Sequence, residues 1–74
     1  MSRPLPRVSG QRFGRLLERR GFVTQSRKGS HVTYEHTDRP LLVTVPMHRE
    51  LRPGLLRRLM RDAGISREEL LDEL

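Results

Sequence analysis

Three histidines, His31, His36 and His48, are the side chains best placed to move protons at neutral pH. An imidazole titrates near ~6.5 in water, so it can both take and give a proton there. His31 stands out by its neighbours. It follows the run Lys28-Gly29-Ser30, and Arg27 and Lys28 supply cations that can hold a phosphate. A proton acceptor beside phosphate-binding cations is the equipment for general acid–base cleavage of a phosphodiester. A single histidine in a small basic protein is more often a surface residue, so the direction in which His31 points decides the matter. His48, in the run Pro46-Met47-His48-Arg49, is a second candidate; satisfying loop backbone is its favoured role. His36 is expected to pack or to bond a turn.

Other chemistries find little support. No His-x-x-x-His pair or paired carboxylates fall on one helix face, so no metal site is expected. Gly10, Gly14 and Gly21 are scattered rather than gathered into a phosphate loop, and no small-molecule cofactor is implied. Phe13, Phe22 and Tyr34 fall at core-like positions, which argues against an aromatic platform for stacking bases.

The elements that must position His31 can be read from periodicity. After the Pro4 and Pro6 lead-in, Ser9 can cap a helix running to about Arg20, with Phe13, Leu16, Leu17 and the stem of Arg20 on one face. Arg12, Arg15 and Arg19 cover the other face, and Gly21 suits a left-handed helix end. Residues Phe22 to Arg27 read as a first strand. His31 to His36 alternates, with Val32 and Tyr34 facing one way and His31, Thr33 and Glu35 the other. Thr37-Asp38-Arg39-Pro40 is a second turn, and Leu41 to Val45 a third strand that Pro46 ends. Pro53 and Gly54 open a second helix with an apolar stripe of Leu55, Leu56, Leu59, Met60 and Ala63, closed by Gly64. Ser66 and Glu69 have capping-box spacing for a terminal helical turn, with Leu70, Leu71 and Leu74 expected inward. The order α-β-β-β-α, with helices on one face of a three-stranded antiparallel sheet, is an α+β sandwich. His31, Thr33 and Glu35 then stand on the open face.

At 74 residues the chain has room for a single domain with a thin core and, lacking cysteine, no disulfide to reinforce it. Met1-Ser2-Arg3-Pro4 is not followed by an apolar stretch, so no signal peptide is expected. The longest apolar run, Leu41-Leu42-Val43-Thr44-Val45, is too short to span a bilayer. A cytoplasmic protein with no membrane partner is the expectation. Charge says more. Residues 1–60 carry thirteen basic and four acidic side chains, a net of +9, whereas residues 61–74 carry two and five, a net of −3. All but Lys28 of the fifteen cations are arginine, whose planar fork binds two phosphate oxygens at once. That balance points to a polyanion, without choosing between DNA and RNA.

The residues also resemble a known family. Leu5-Pro6-Arg7-Val8-Ser9-Gly10, Gly21-Phe22, Lys28-Gly29-Ser30-His31, Val43-Thr44-Val45-Pro46-Met47-His48 and Leu59 to Ser66 with Asp62-Ala63-Gly64-Ile65 are similar, in order and spacing, to the HicA (YcfA-like) toxins. The resemblance covers nearly the whole chain. It implies a fold like that of double-stranded-RNA-binding domains, cleavage of mRNA, a HicB-type antitoxin as partner, and His31 as the essential catalytic residue. Two segments depart from the family pattern. The second turn lacks its usual glycine, and Pro53-Gly54-Leu55 replaces a frequent Lys-Gly-Thr, removing a cation and a hydroxyl.

The mechanism expected on this reading needs no metal. His31 takes the proton of a ribose 2′-OH, which attacks the adjacent phosphorus. Arg27, Lys28 or Arg49 stabilise the charge that develops, with Gly29, Ser30 and His48 as further RNA contacts and the general acid left open between His48 and water. The alternative is a module of the same fold that grips RNA and cuts nothing. A DNA-binding subunit is disfavoured because neither helix pair has helix-turn-helix spacing.

Overall fold

A computed structural model describes residues 5–74; Met1 to Pro4, on which the signal-peptide reading and the Pro4 lead-in fall, lie outside the described residues. The elements are α1 (Gly10–Arg19), β1 (Phe22–Lys28), β2 (His31–His36), β3 (Leu42–Pro46), α2 (Pro53–Ala63) and α3 (Arg67–Glu73). Local chemistry sets their ends. The Ser9 hydroxyl accepts from the Arg12 amide at 3.0 Å, satisfying one of the helix's orphan donors. Pro53 occupies the first turn of α2, and Gly64 closes that helix in the left-handed region at φ 71°. Ser66 and Glu69 form a reciprocal capping box, each side chain accepting from the other's backbone amide, at 3.1 and 3.0 Å.

The strands form one antiparallel sheet in the order β1-β2-β3. Both α1 and α2 pack on the same face, α1 over β1 and β3 and α2 over β3. That face carries Val32, Tyr34, Val43 and Val45, which meet Phe13, Leu16, Leu17, Leu56 and Leu59 from the helices, all of them buried. The α+β sandwich read from periodicity is the observed one. Its details differ in four places, the first being that β3 begins at Leu42 and not at Leu41. β1 runs on to Lys28, and Pro46 is the last residue of β3 rather than the residue beyond it, because it needs no amide at a position that donates nothing. Leu71 is 41% exposed, not inward; α3 is only seven residues long and buries the single leucine, Leu70, fully.

Ion pairs help to seat α3. Glu69 holds Arg20 at 2.9 Å, and Glu73 holds Arg19 at 3.1 Å and Arg20 at 3.5 Å, so the acidic tail lies against the end of basic α1. His36 is structural, as its position suggests. Its Nε2–H donates to the Arg20 carbonyl at 3.0 Å, while Nδ1 accepts from the amides of Asp38 and Arg39. Phe22 meets the ring edge-on at 4.9 Å. With both nitrogens engaged, this histidine orders the second turn, where the family's usual glycine is missing.

Candidate active site

β1 and β2 meet at the Lys28–His31 pair, joined by Gly29 and Ser30, with Gly29 at φ 61° supplying the positive dihedral that a tight hairpin needs. On its other side His31 pairs with Pro46. The ring of His31 is therefore in the row Lys28-His31-Pro46, on the face of the sheet that no helix covers, and it is exposed. The next row is Ser26-Thr33-Thr44, in which the Thr33 and Thr44 hydroxyls bond at 3.0 Å. His31 thus stands at the end of a polar, open stripe, beside one cation.

That cation is Lys28 and not Arg27. A regular ladder continued from the Thr24–Tyr34 pair would set Arg27 opposite His31. A bulge at Gln25 inserts one residue, so Ser26 pairs with Thr33, Arg27 with Val32 and Lys28 with His31. Arg27 is thereby turned to the helix-facing side. Its Nε–H donates at 3.4 Å to the carbonyl of Gly29, a contact that ties it to the turn.

On that side a cleft of about 570 Å³ opens between the start of α1, the bulged part of the sheet and the segment after β3. Arg27, His48 and Arg49 line it together with Ser9, Gln11, Thr24, Val32, Tyr34 and Met47. The segment is anchored by backbone. The Met47 amide donates to the Ser30 carbonyl at 2.6 Å, and the Gly10 amide donates to the His48 carbonyl at 2.9 Å. Backbone of His48 therefore satisfies α1, while its side chain is left on the cleft. Gly10 is obligatory there, since a Cβ at this position would overlap the Pro46 carbonyl.

The seven residues singled out in the sequence thus fall into two groups at one end of the molecule. Lys28, Gly29, Ser30 and His31 form the hairpin end and its open face; Arg27, His48 and Arg49 line the cleft behind it. The Ser30–Met47 bond joins the two. Tyr34 escaped the sequence reading because it alternates with core residues. The residue is only 6% exposed and lines the cleft, and its hydroxyl, which solvent still reaches, has no hydrogen-bond partner among the described residues. The signal that could have found it is general: a buried phenol normally needs a partner for its O–H. Burial pushes the Tyr34 hydroxyl pKa up, the Glu18 carboxylate adds to the rise, and the Arg27 guanidinium opposes it.

Among the described residues no three His, Cys, Asp or Glu side chains gather where they could hold a metal ion, and no helix is long and apolar enough to cross a membrane. No curated protein matches the chain. A family model described as the HicA toxin of bacterial toxin–antitoxin systems matches residues 10–65, from the first residue of α1 to the residue after the Gly64 cap, and leaves out α3. That span covers about three quarters of the sequence and takes in the hairpin end and all of the cleft's lining but Ser9, so the chain belongs to the HicA toxin family of bacterial toxin–antitoxin systems.

Proposed function

We propose that this chain is the toxin of its pair, an endoribonuclease that cleaves mRNA without a metal and is held in check by a HicB-type antitoxin. The observation that carries the reading is the place of His31: exposed, on the uncovered face of the sheet, at the end of a strand and paired with Lys28. His31 takes the proton of a ribose 2′-OH. The oxygen attacks the neighbouring phosphorus, the bond to the 5′-oxygen breaks, and the leaving oxygen collects a proton from water, since His48 lies on the cleft side of the sheet. The products are a 2′,3′-cyclic phosphate and a 5′-hydroxyl. Lys28 neutralises charge on the phosphoryl oxygens as it grows, and the amides of Gly29 and Ser30 at the turn lie beside it. Arg27, His48 and Arg49 bind RNA from the far side of the hairpin end. An acidic antitoxin surface complements a body of charge +9 and associates fast through electrostatic steering.

The test is His31→Ala. General acid–base catalysis by one side chain contributes about 10²–10⁴-fold, so cleavage of an mRNA should fall by that factor. The folded state should be kept, because an exposed side chain leaves no cavity when truncated and such changes cost within about 0.5 kcal/mol. Circular dichroism and cleavage are read on the same preparation. Wild-type cleavage in the variant would sink the assignment. RNA binding by the wild-type chain with no product would favour the non-catalytic module.

A further inference from the structure

The cleft behind the hairpin carries features that phosphodiester cleavage at His31 does not use. Two arginines, Arg27 and Arg49, line it, and among the described residues no aspartate or glutamate does. Val32, Met47 and the ring of Tyr34 give it an apolar floor. Tyr34 is only 6% exposed, and its hydroxyl, a donor and acceptor, has no hydrogen-bond partner among the described residues and is open to solvent, so a ligand can pair it. A ligand bond to this hydroxyl replaces its bond to water, a modest net gain that chiefly selects among ligands. A Cβ on Gly14 would collide with that hydroxyl, so α1 makes room for it with the one side chain that has none. The volume, about 570 Å³, lies within the range of sites that enclose small organic molecules rather than bare ions.

We propose that this cleft is a nucleotide subsite, taking one nucleotide of a single-stranded RNA with its phosphate on Arg27 and Arg49 and its base on Val32 and Met47, an edge bonded to the Tyr34 hydroxyl. The identification of the ligand as substrate RNA rests on the ribonuclease reading above; the site itself rests on the cleft. His31 and Val32 are consecutive residues of β2 and face opposite sides of the sheet. A strand that rounds the Lys28-Gly29-Ser30 turn therefore reaches both: one phosphodiester lies at His31 on the open face, and a neighbouring nucleotide enters the cleft. The chain must be single-stranded to do so, because a duplex cannot bend round the edge of one hairpin. The bulge at Gln25 is what makes this division, by sending Arg27 to the cleft and Lys28 to the histidine.

The experiment uses the full chain carrying His31→Ala, labelled with ¹⁵N, and follows amide shifts on adding the four nucleoside 5′-monophosphates or inorganic phosphate. The expected result is saturable shifts at Thr24, Arg27, Tyr34, Met47 and Arg49 with mononucleotides, and binding of inorganic phosphate at least tenfold weaker. Adding Tyr34→Phe, which keeps the ring and removes only an unpaired hydroxyl, should weaken the preferred mononucleotide by about two- to tenfold and leave phosphate unchanged. Adding Arg27→Gln should weaken both. Equal affinity for phosphate and mononucleotides, or shifts that avoid the cleft, would overturn the subsite. In the otherwise wild-type chain, Tyr34→Phe should change the base preference beside the cut. Cleavage by the wild-type chain with no mononucleotide shifts in the cleft refutes the subsite and spares the ribonuclease; cleft shifts in a chain that cuts no RNA support the subsite and refute the ribonuclease.

Discussion

Gly14 offers a sharp test of the packing that shapes the cleft, because two effects of opposite sign meet there. In a free helix, alanine for glycine gains about 1 kcal/mol from propensity. At Gly14 the added Cβ would overlap the Tyr34 hydroxyl and come within 2.8 Å of ring Cζ. Tyr34 can give way only towards the cleft and only by tilting its whole ring, since the hydroxyl lies on the ring axis and the residue is fixed on central β2 between Thr24 and Val43. Overpacking of that kind costs about 1–3 kcal/mol, and the tight surroundings put it in the upper part of the range. The net expectation for Gly14→Ala is a loss of about 1–2 kcal/mol. For a domain of this size each kcal/mol moves Tm by about 4–8 °C, so the variant should melt roughly 5–15 °C lower. Gly54→Ala is the internal control. Gly54 lies in the first turn of α2, and a Cβ there meets nothing within 4 Å, so alanine should add about 0.5 kcal/mol and raise Tm by a few degrees. Thermal melts followed by circular dichroism read both. Tyr34→Phe in the Gly14→Ala background should recover part of the loss, because it removes the nearest atom. A Gly14→Ala protein that melts at or above wild type would refute the reasoning: the space over α1 would then be free, and the Tyr34 hydroxyl would stand elsewhere.

Tyr34 is the chain's one tyrosine and there is no tryptophan, so its phenolate absorbance reads this site alone. Its midpoint should lie above 10.0; stability from the neutral phenol is full below the ordinary value and is lost as pH rises through the higher folded value, and a midpoint at or below 10.0 would contradict the burial. Hydrogen bonds from the Ser66 amide, then from its hydroxyl, hold the Glu69 carboxyl below the usual glutamate value, with Arg20 adding to them. The contribution is present above that usual value and is lost as pH falls through the lower folded one, so amide exchange in α3 should quicken in acid before the sheet opens. Glu69→Ala should produce the same local opening at neutral pH; unchanged protection of α3 would show that Leu70 alone holds the helix. RNA cleavage should survive EDTA and stop on a substrate with 2′-deoxyribose at the cut. Inhibition by EDTA that magnesium reverses would rule out the proposed chemistry.

Much of the fold is legible because the chain punctuates itself. Ser9, Pro53, Gly64 and the Ser66–Glu69 pair mark helix ends by the orphan backbone groups they satisfy or spare, and all four do so in the structure. Alternation in His31 to His36 is clean because Val32 and Tyr34 must reach the core, so the direction of His31 follows from its neighbours. Leu71 misled because short helices near a chain's edge bury one residue per turn at most, and periodicity cannot say how wide the receiving surface is. The ties of Arg19 and Arg20 to Glu69 and Glu73 join residues about fifty positions apart, which no local pattern encodes.

The division of the site was hidden for a more instructive reason. β1 has one buried residue, Phe22, followed by Val23, Thr24, Gln25, Ser26, Arg27 and Lys28, all exposed. A strand whose face is set by apolar alternation would reveal a slip of one residue as a break in that alternation. Here nothing apolar follows the slip, so inserting Gln25 leaves no mark in the sequence. Its effect on chemistry is nonetheless large. Without the bulge Arg27 would be the register partner of His31; with it Lys28 takes that place and Arg27 lines the cleft. An ammonium follows a phosphate through changes of geometry as a point charge, whereas a guanidinium fixes one orientation through its fork. A reacting phosphoryl group changes shape and a seated nucleotide does not. Under the proposed roles, the bulge gives each cation the task its geometry suits: Lys28 beside His31 on the open face, Arg27 on the cleft.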